Sequence, residues 1–268
     1  MKKLAVLLFA LILVVACKEK TQTDTESLSE AKTEMETREV SKSYPEAVAG
    51  IFDAHGGIDH WNAMNSLQFK FEGRSGTEMN TVSLKDRRSL VETDAWAIGN
   101  DGANVWLDVK EGEYKGNARF YHNLFFYFYA MPFIVADDGI TYSDVEATEL
   151  PDGTYPGVKI SYGAGVGDSP EDEYIIFYDP DTHAMKWLGY TVTYNTGEKS
   201  EKWNYIKYDE WNEVNGLVLP KKLAWYNVEE GAPTTERNAM EMETVSINES
   251  NVDDSIFAMR EGAQAVEK

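Results

Sequence analysis

Apolar residues recur along this chain in two rhythms, and one segment obeys neither. Val48, Ile51 and Phe52 follow Pro45 at helical spacing, so a short helix is predicted over 45–54, stopped by Gly56-Gly57. Asp59 is expected to cap a second short turn carrying Trp61 and Met64. At Leu67 the period becomes two: Leu67, Phe69 and Phe71 alternate with Gln68, Lys70 and Glu72, the pattern of a half-buried strand. Apolar stretches at 82–84, 89–91 and 105–107 continue it, the last after a turn at Asn100-Asp101-Gly102. Further strands are predicted over 158–162, 174–178, 187–194, 203–208, 217–226 and 240–247. Turns at Asp179-Pro180-Asp181, Asn195-Thr196-Gly197 and Asn215-Gly216 join them. Ser255-Ile256-Phe257 is expected to tuck under the resulting sheet.

The exception is NARFYHNLFFYFYAMPFIVADDG, residues 117–139. It packs Phe120, Tyr121, Phe125, Phe126, Tyr127, Phe128, Tyr129 and Phe133 around Leu124 and Met131. Burying such side chains stabilises by roughly 1.5–3 kcal/mol each, so together they contribute on the order of 10–20 kcal/mol. Near-continuous apolar character predicts one buried helix, capped by Asn117 and ended by Pro132. A strand stays open as an alternative because aromatics favour sheets. The uncharged run from Asn123 to Ala136 falls short of the about 20 residues that span a bilayer. The segment reads either as a core helix or as one that lines, fills or closes an apolar cavity.

Helices at the start and middle of a run of antiparallel hairpins indicate an α+β architecture. The simplest arrangement is a strongly curved antiparallel sheet, or an unclosed β-barrel, wrapped around or covered by the aromatic helix. On that reading an apolar ligand would sit between the sheet and residues 120–133, lined by Trp96, Trp106, His122, Phe125, Phe126, Tyr129, Met131 and Phe133.

The N-terminus changes where such a protein would act. Lys2 and Lys3 precede an apolar run over 4–15, and Val14-Val15-Ala16-Cys17 follows, so residues 1–16 read as a signal peptide. The cysteine after Ala16 resembles the lipobox of bacterial lipoproteins, and that resemblance makes Cys17 the acylated first residue of the mature chain. Several acyl chains anchor a protein stably. Residues 17–43 hold no aromatic, glycine or proline and read as a tether, with a single domain over 44–268. Cys17 is the only cysteine, so the domain has neither disulfide nor thiol chemistry. The formal charge of −21 argues against nucleic acid as a partner and against attraction to anionic lipid surfaces.

Candidate chemistry is sparse. The four histidines are His55, His60, His122 and His183, and the spacing of His55 and His60 is not that of two ligands on one helical face. His122 stands at the edge of the aromatic segment, where Asp138 could meet it after the turn at Pro132. Acid pairs such as Asp137-Asp138 and Asp253-Asp254 say little in a chain with 46 acidic residues. The glycine-rich stretch 163–167 precedes acids and reads as a loop, not a phosphate cradle. No enzyme activity, metal or cofactor is expected.

A set of spaced signatures carries a family resemblance: His55-Gly56-Gly57 with Trp61, Asp101-Gly102 before Val105-Trp106, and Phe120-Tyr121-His122-Asn123-Leu124 through Met131-Pro132-Phe133. Asn215-Gly216-Leu217 before Leu219-Pro220, and Val252-Asp253-Asp254-Ser255-Ile256-Phe257, complete it. From about Tyr44 to its end the chain resembles uncharacterised flavobacterial lipoproteins and, more distantly, the LolA/LolB-like lipoprotein-sorting superfamily. The resemblance implies an unclosed barrel with a helix-covered mouth, a lipid or acyl chain as partner, and a monomer anchored at the outer membrane, facing periplasm or cell surface. The competing expectation is a glycan- or protein-binding surface built from exposed Trp187, Tyr190, Trp203, Trp211 and Trp225.

Overall fold

The computed structural model describes residues 42–163, 169 and 171–267. The expected signal peptide, the acylation site Cys17, the tether to residue 41 and most of the glycine-rich stretch 163–167 lie outside the described residues.

Two short helices, α1 (Glu46–Ala54) and α2 (Ile58–Ala63), open the domain. Gly56 and Gly57 stop α1 as predicted, and the hydrogen bonds show how. Gly57 N–H reaches the Phe52 carbonyl at 2.8 Å and Gly56 N–H the Asp53 carbonyl at 3.2 Å, with Gly56 at φ 102°. Asp59 lies inside the first turn of α2, and the capping position belongs to Gly57.

Among the described residues fifteen strands follow: β1 (Ser66–Gly73), β2 (Gly76–Ser83), β3 (Ser89–Glu92), β4 (Trp96–Asn100), β5 (Val105–Val109), β6 (Ile140–Leu150), β7 (Gly153–Tyr162), β8 (Glu173–Tyr178), β9 (Met185–Tyr190), β10 (Asn204–Lys207), β11 (Trp211–Val214), β12 (Leu217–Pro220), β13 (Lys222–Glu229), β14 (Ala232–Asn248) and β15 (Gln264–Val266). Thirteen of them form one antiparallel sheet in the order β15-β5-β4-β3-β2-β1-β14-β13-β10-β9-β8-β7-β6, with β15 and β6 as edges, so the sheet is not closed. β14 joins its halves, pairing with β13 through its first part and with β1 through its last. Register shifts at Gln68/Phe69 and Trp225/Tyr226 mark bulges, which bend a sheet and increase its twist.

Side chains from both halves meet in one core. Leu67, Phe69 and Phe71 of β1 face the same cluster as Ile160 of β7, Ile176 of β8 and Leu188 of β9. The apolar alternation of each strand therefore selects a common inner face. Among the described residues no helix is long and apolar enough to cross a membrane.

The predicted strand over 217–226 is in fact two. β12 pairs with β11 in a separate hairpin whose turn places Asn215 and Gly216 at φ 50° and 73°. Lys221 separates β12 from β13, its N–H bonded to the Glu210 carbonyl and its carbonyl accepting from Met242 N–H.

The outer face carries apolar clusters of its own. Trp106 packs there with Leu90, Ala97 and Phe257, its indole N–H donating to the Phe257 carbonyl at 2.9 Å. The ring lies across Gly99 of the paired strand, where a Cβ would run into the indole. Overpacking of this kind costs about 1–3 kcal/mol. Gly99→Ala is accordingly expected to lower the unfolding free energy by that amount, read as a lower urea midpoint, and an unchanged midpoint would contradict the packing.

Candidate functional site

The aromatic segment is not one helix. It forms α3 (Ala118–Tyr121), α4 (Leu124–Tyr129) and a 3-10 turn (Phe133–Ala136). Asn117 caps α3 as predicted, its side chain accepting from Phe120 N–H at 3.1 Å. The break falls at His122-Asn123 because a side chain competes for a helix carbonyl. The Arg119 oxygen, which Asn123 N–H would reach in a continuous helix, is instead bonded by His122 Nδ1. Ser89 Oγ donates to the His122 carbonyl at 3.1 Å and ties the break to β3.

Beyond the break the segment fills the concave interior. Phe126, Tyr129, Met131 and Phe133 are buried. Tyr129 stacks on Phe69 with centroids 4.2 Å apart and exchanges a hydrogen bond with Thr244 on β14. Phe133 stacks on Trp61 at 4.7 Å, and Tyr208 OH donates to the Phe128 carbonyl near the C-terminus of α4 at 2.8 Å. Side chains occupy this part of the space between the sheet and the segment.

Open space remains at the other end of the plug. Two adjoining cavities of about 330 and about 90 Å³ share Phe120, Leu124, Phe128, Asp172 and Tyr174 in their walls. The larger is completed by Phe125, Tyr190, Trp225 and Met240, the smaller by Tyr127, Tyr162 and Tyr194. Phe128 packs edge-on against Tyr190 and Trp225 at 5.1 and 6.0 Å, which makes a rigid aromatic floor. Phe120 leans on Tyr194 at 5.1 Å across the entrance. The buried Tyr162 hydroxyl has no hydrogen-bond partner among the described residues.

Among the described residues the charged groups of this cleft are Arg74, Arg119, Arg237 and Asp172. Arg74 stands in the two-residue turn between β1 and β2, and Arg237 on β14 beside its bulge against β13. Burial raises the Asp172 carboxyl above the ordinary carboxylate range, although Thr193 opposes it with bonds from N–H at 2.6 Å and Oγ1 at 2.8 Å. Burial likewise raises Tyr190, and the Arg237 charge acts against that rise.

Of the residues expected to line a ligand site, Phe125 alone borders the larger cavity. His122 borders a separate polar recess with Asn100, Asn104 and Asn123. Trp96 packs against Tyr114 and Tyr121 at 5.1 and 5.8 Å, and Trp106 lies on the outer face of the sheet. Beside Trp96 a buried carboxyl, Glu78, accepts from Tyr121 OH at 2.7 Å, and burial raises its pKa. Tyr190 and Trp225 are expected from the sequence on an exposed platform and not in this wall, and Tyr174 and the arginines are not anticipated, because the wall is assembled from elements far apart in sequence.

The expected platform of exposed rings is absent from the described residues. Trp187, Tyr190 and Trp225 are buried, and Trp203 and Trp211 are half-buried. Tyr190 and Trp225 face the cleft, while Trp187 sits under Phe177, Tyr205 and Tyr226 on the outer face, donating to Asp152 at 2.8 Å. Among the described residues no three His, Cys, Asp or Glu side chains converge as metal ligands would.

Residues 106–240 match the Family of unknown function (DUF6503). No curated protein matches the chain. Similar solved structures include a LolA superfamily protein from Nitrosomonas europaea, 9% identical, covering 73% of this chain and 89% of that one at a TM-score of 0.42. A putative outer membrane lipoprotein-sorting protein domain from Vibrio parahaemolyticus is 6% identical, covering 76% of this chain and 96% of that one at a TM-score of 0.37.

Proposed function

The chain belongs to the DUF6503 family, and we propose that it is a binding protein, not an enzyme, which holds one apolar chain in the cleft beside Phe120 and Leu124. The observation that carries this reading is the division of the interior. Tyr129 and Met131 of the plug are packed without exposed surface, whereas beside Phe120 and Leu124 an aromatic-walled cleft of about 330 Å³ stays open; the recess of about 290 Å³ beside Phe133 and Ala136 is polar, with Lys85, Arg87, Asp137 and Asp138 in its walls. Ligand sites run from about 300 to 1,000 Å³ and are mostly apolar with a few polar groups. A cavity at the small end of that range suits a single chain better than the several chains of a lipoprotein anchor. Cys17 would hold the protein at a membrane, within reach of such ligands, with the acidic domain kept off the lipid surface by its charge.

The test is native mass spectrometry of the full chain with dodecanol, a neutral single-chain probe. Wild type is expected to retain one dodecanol, and Leu124→Trp, which fills the cavity, is expected to bind at least tenfold more weakly. A wild-type protein that takes up no dodecanol, or a variant that binds as well, would remove the reading.

A further inference from the structure

The cleft is apolar in its walls but cationic at its rim, and the contrast with the rest of the molecule is informative. With 46 acidic and 25 basic residues, the chain offers almost every arginine a carboxylate. Away from the cleft they are taken: Arg87 pairs with Asp137 at 2.6 Å, Arg88 with Asp86 and Asp254 at 2.8 Å, and Arg260 with Glu92 at 2.5 Å and Asp108 at 3.7 Å. Around the cleft the arrangement changes. Neither Arg74 nor Arg237 has an ion-pair partner among the described residues, and Arg119 borders the adjoining cavity. Among the described residues the one carboxyl in the walls, Asp172, is engaged by Thr193 and shifted by burial toward its neutral form. Arg74 is carried by a two-residue turn and Arg237 by the bulged middle of β14, so two unrelated elements bring guanidinium groups to one opening.

We infer, building on the apolar-chain reading above, that the cleft selects single-chain amphiphiles with an anionic head, the chain lying on Phe128 and Trp225 and the carboxylate or phosphate held by Arg74 and Arg237. A guanidinium presents a planar fork of donors that matches both head groups. A cleft with low-dielectric walls focuses that charge toward the ligand, which offsets the repulsion of an otherwise acidic surface. The unpartnered Tyr162 hydroxyl offers a further donor in the adjoining cavity.

Titration calorimetry of the full chain tests this with five probes: dodecanoate, dodecyl phosphate, dodecanol, dodecyltrimethylammonium and inorganic phosphate. Wild type is expected to bind both anionic chains at least tenfold more tightly than dodecanol, to bind the ammonium more weakly still, and to ignore inorganic phosphate at millimolar concentration. In an Arg74→Gln/Arg237→Gln variant the gap between dodecanoate and dodecanol closes to within twofold. Equal wild-type affinity for dodecanoate and dodecanol would overturn the head-group inference while leaving the apolar reading intact. Failure to bind any chain would overturn both. Inorganic phosphate binding as tightly as dodecyl phosphate would show that the chain adds nothing, and the inference would fall. Persistence of the tenfold gap in the double variant would reassign recognition away from these arginines.

Discussion

Tyr129→Ala is expected to destabilise the protein by about 3–5 kcal/mol, the cost of truncating a fully packed aromatic and leaving a cavity. The ring has no exposed surface, lies 4.2 Å from Phe69 of β1, and carries its hydroxyl to Thr244 of β14. Because β1 and β14 form the seam between the two halves of the sheet, the loss falls on the joint itself. Two effects are superposed, and a second variant separates them. Tyr129→Phe keeps the stacking and removes one hydrogen bond, which is expected to cost about 1 kcal/mol. Packing thus outweighs hydrogen bonding at this position by roughly threefold. Since whole domains are stable by about 5–15 kcal/mol, the alanine variant forfeits about a fifth or more of the total. Urea unfolding of both variants gives the measurement. Equal, small losses would mean that the plug is not packed against the seam, and that the interior is available to a ligand after all.

The plug was visible in sequence because eight aromatics in fourteen positions cannot be left in water, whatever their conformation. Its interruption was not, since composition does not reveal that the His122 ring would claim the Arg119 carbonyl. The strand beginning at Leu67 was legible because one face of β1 is buried and the other is partly wet. β4, with Trp96, Ala97 and Ile98 all buried, shows no alternation to read. β6 is hidden for the opposite reason: it is an edge strand rich in Thr, Ser, Asp and Glu, held chiefly by its ladder to β7. Alternation also leaves undecided which face of a strand is concave, so Trp106 and Trp96 looked equivalent and are not. The cleft is legible only in three dimensions. Tyr174, Tyr190 and Trp225 become neighbours through pairings of β8 with β9, β9 with β10 and β10 with β13; the turns at 179–181 and 195–197 announce the first two, and no local pattern specifies the third.

Acid is expected to weaken the fold through His55, by about 3 kcal/mol between pH 6.5 and pH 4. The imidazole follows the last turn of α1 and is almost wholly buried, with Trp211 4.3 Å away. Both nitrogens are committed: Nδ1 lies 3.1 Å from the Val218 carbonyl, and Nε2 accepts from Met185 N–H at 3.1 Å. That pattern requires the neutral ring protonated on Nδ1, because a proton on Nε2 would confront the Met185 N–H. Burial lowers its pKa from 6.5 to about 4, although the Val218 bond acts the other way. The unfolded chain therefore takes up this proton first as pH falls. Stability from His55 is complete above pH 6.5 and declines toward pH 4, at about 1.4 kcal/mol per unit. Glu78 and Asp172, whose pKa values are raised, act in the opposite sense and blur the total acid profile. A comparison with His55→Gln cancels them. The variant is expected to be the less stable protein at pH 7.5, and the difference should shrink by about 3 kcal/mol as the pH is brought to 4. Urea midpoints across that range decide the matter, and parallel curves would exclude a buried neutral imidazole. If the variant does not fold, the ¹⁵N shifts of the wild-type His55 ring give the same answer, titrating near pH 4 if the site is as described and near 6.5 if it is not.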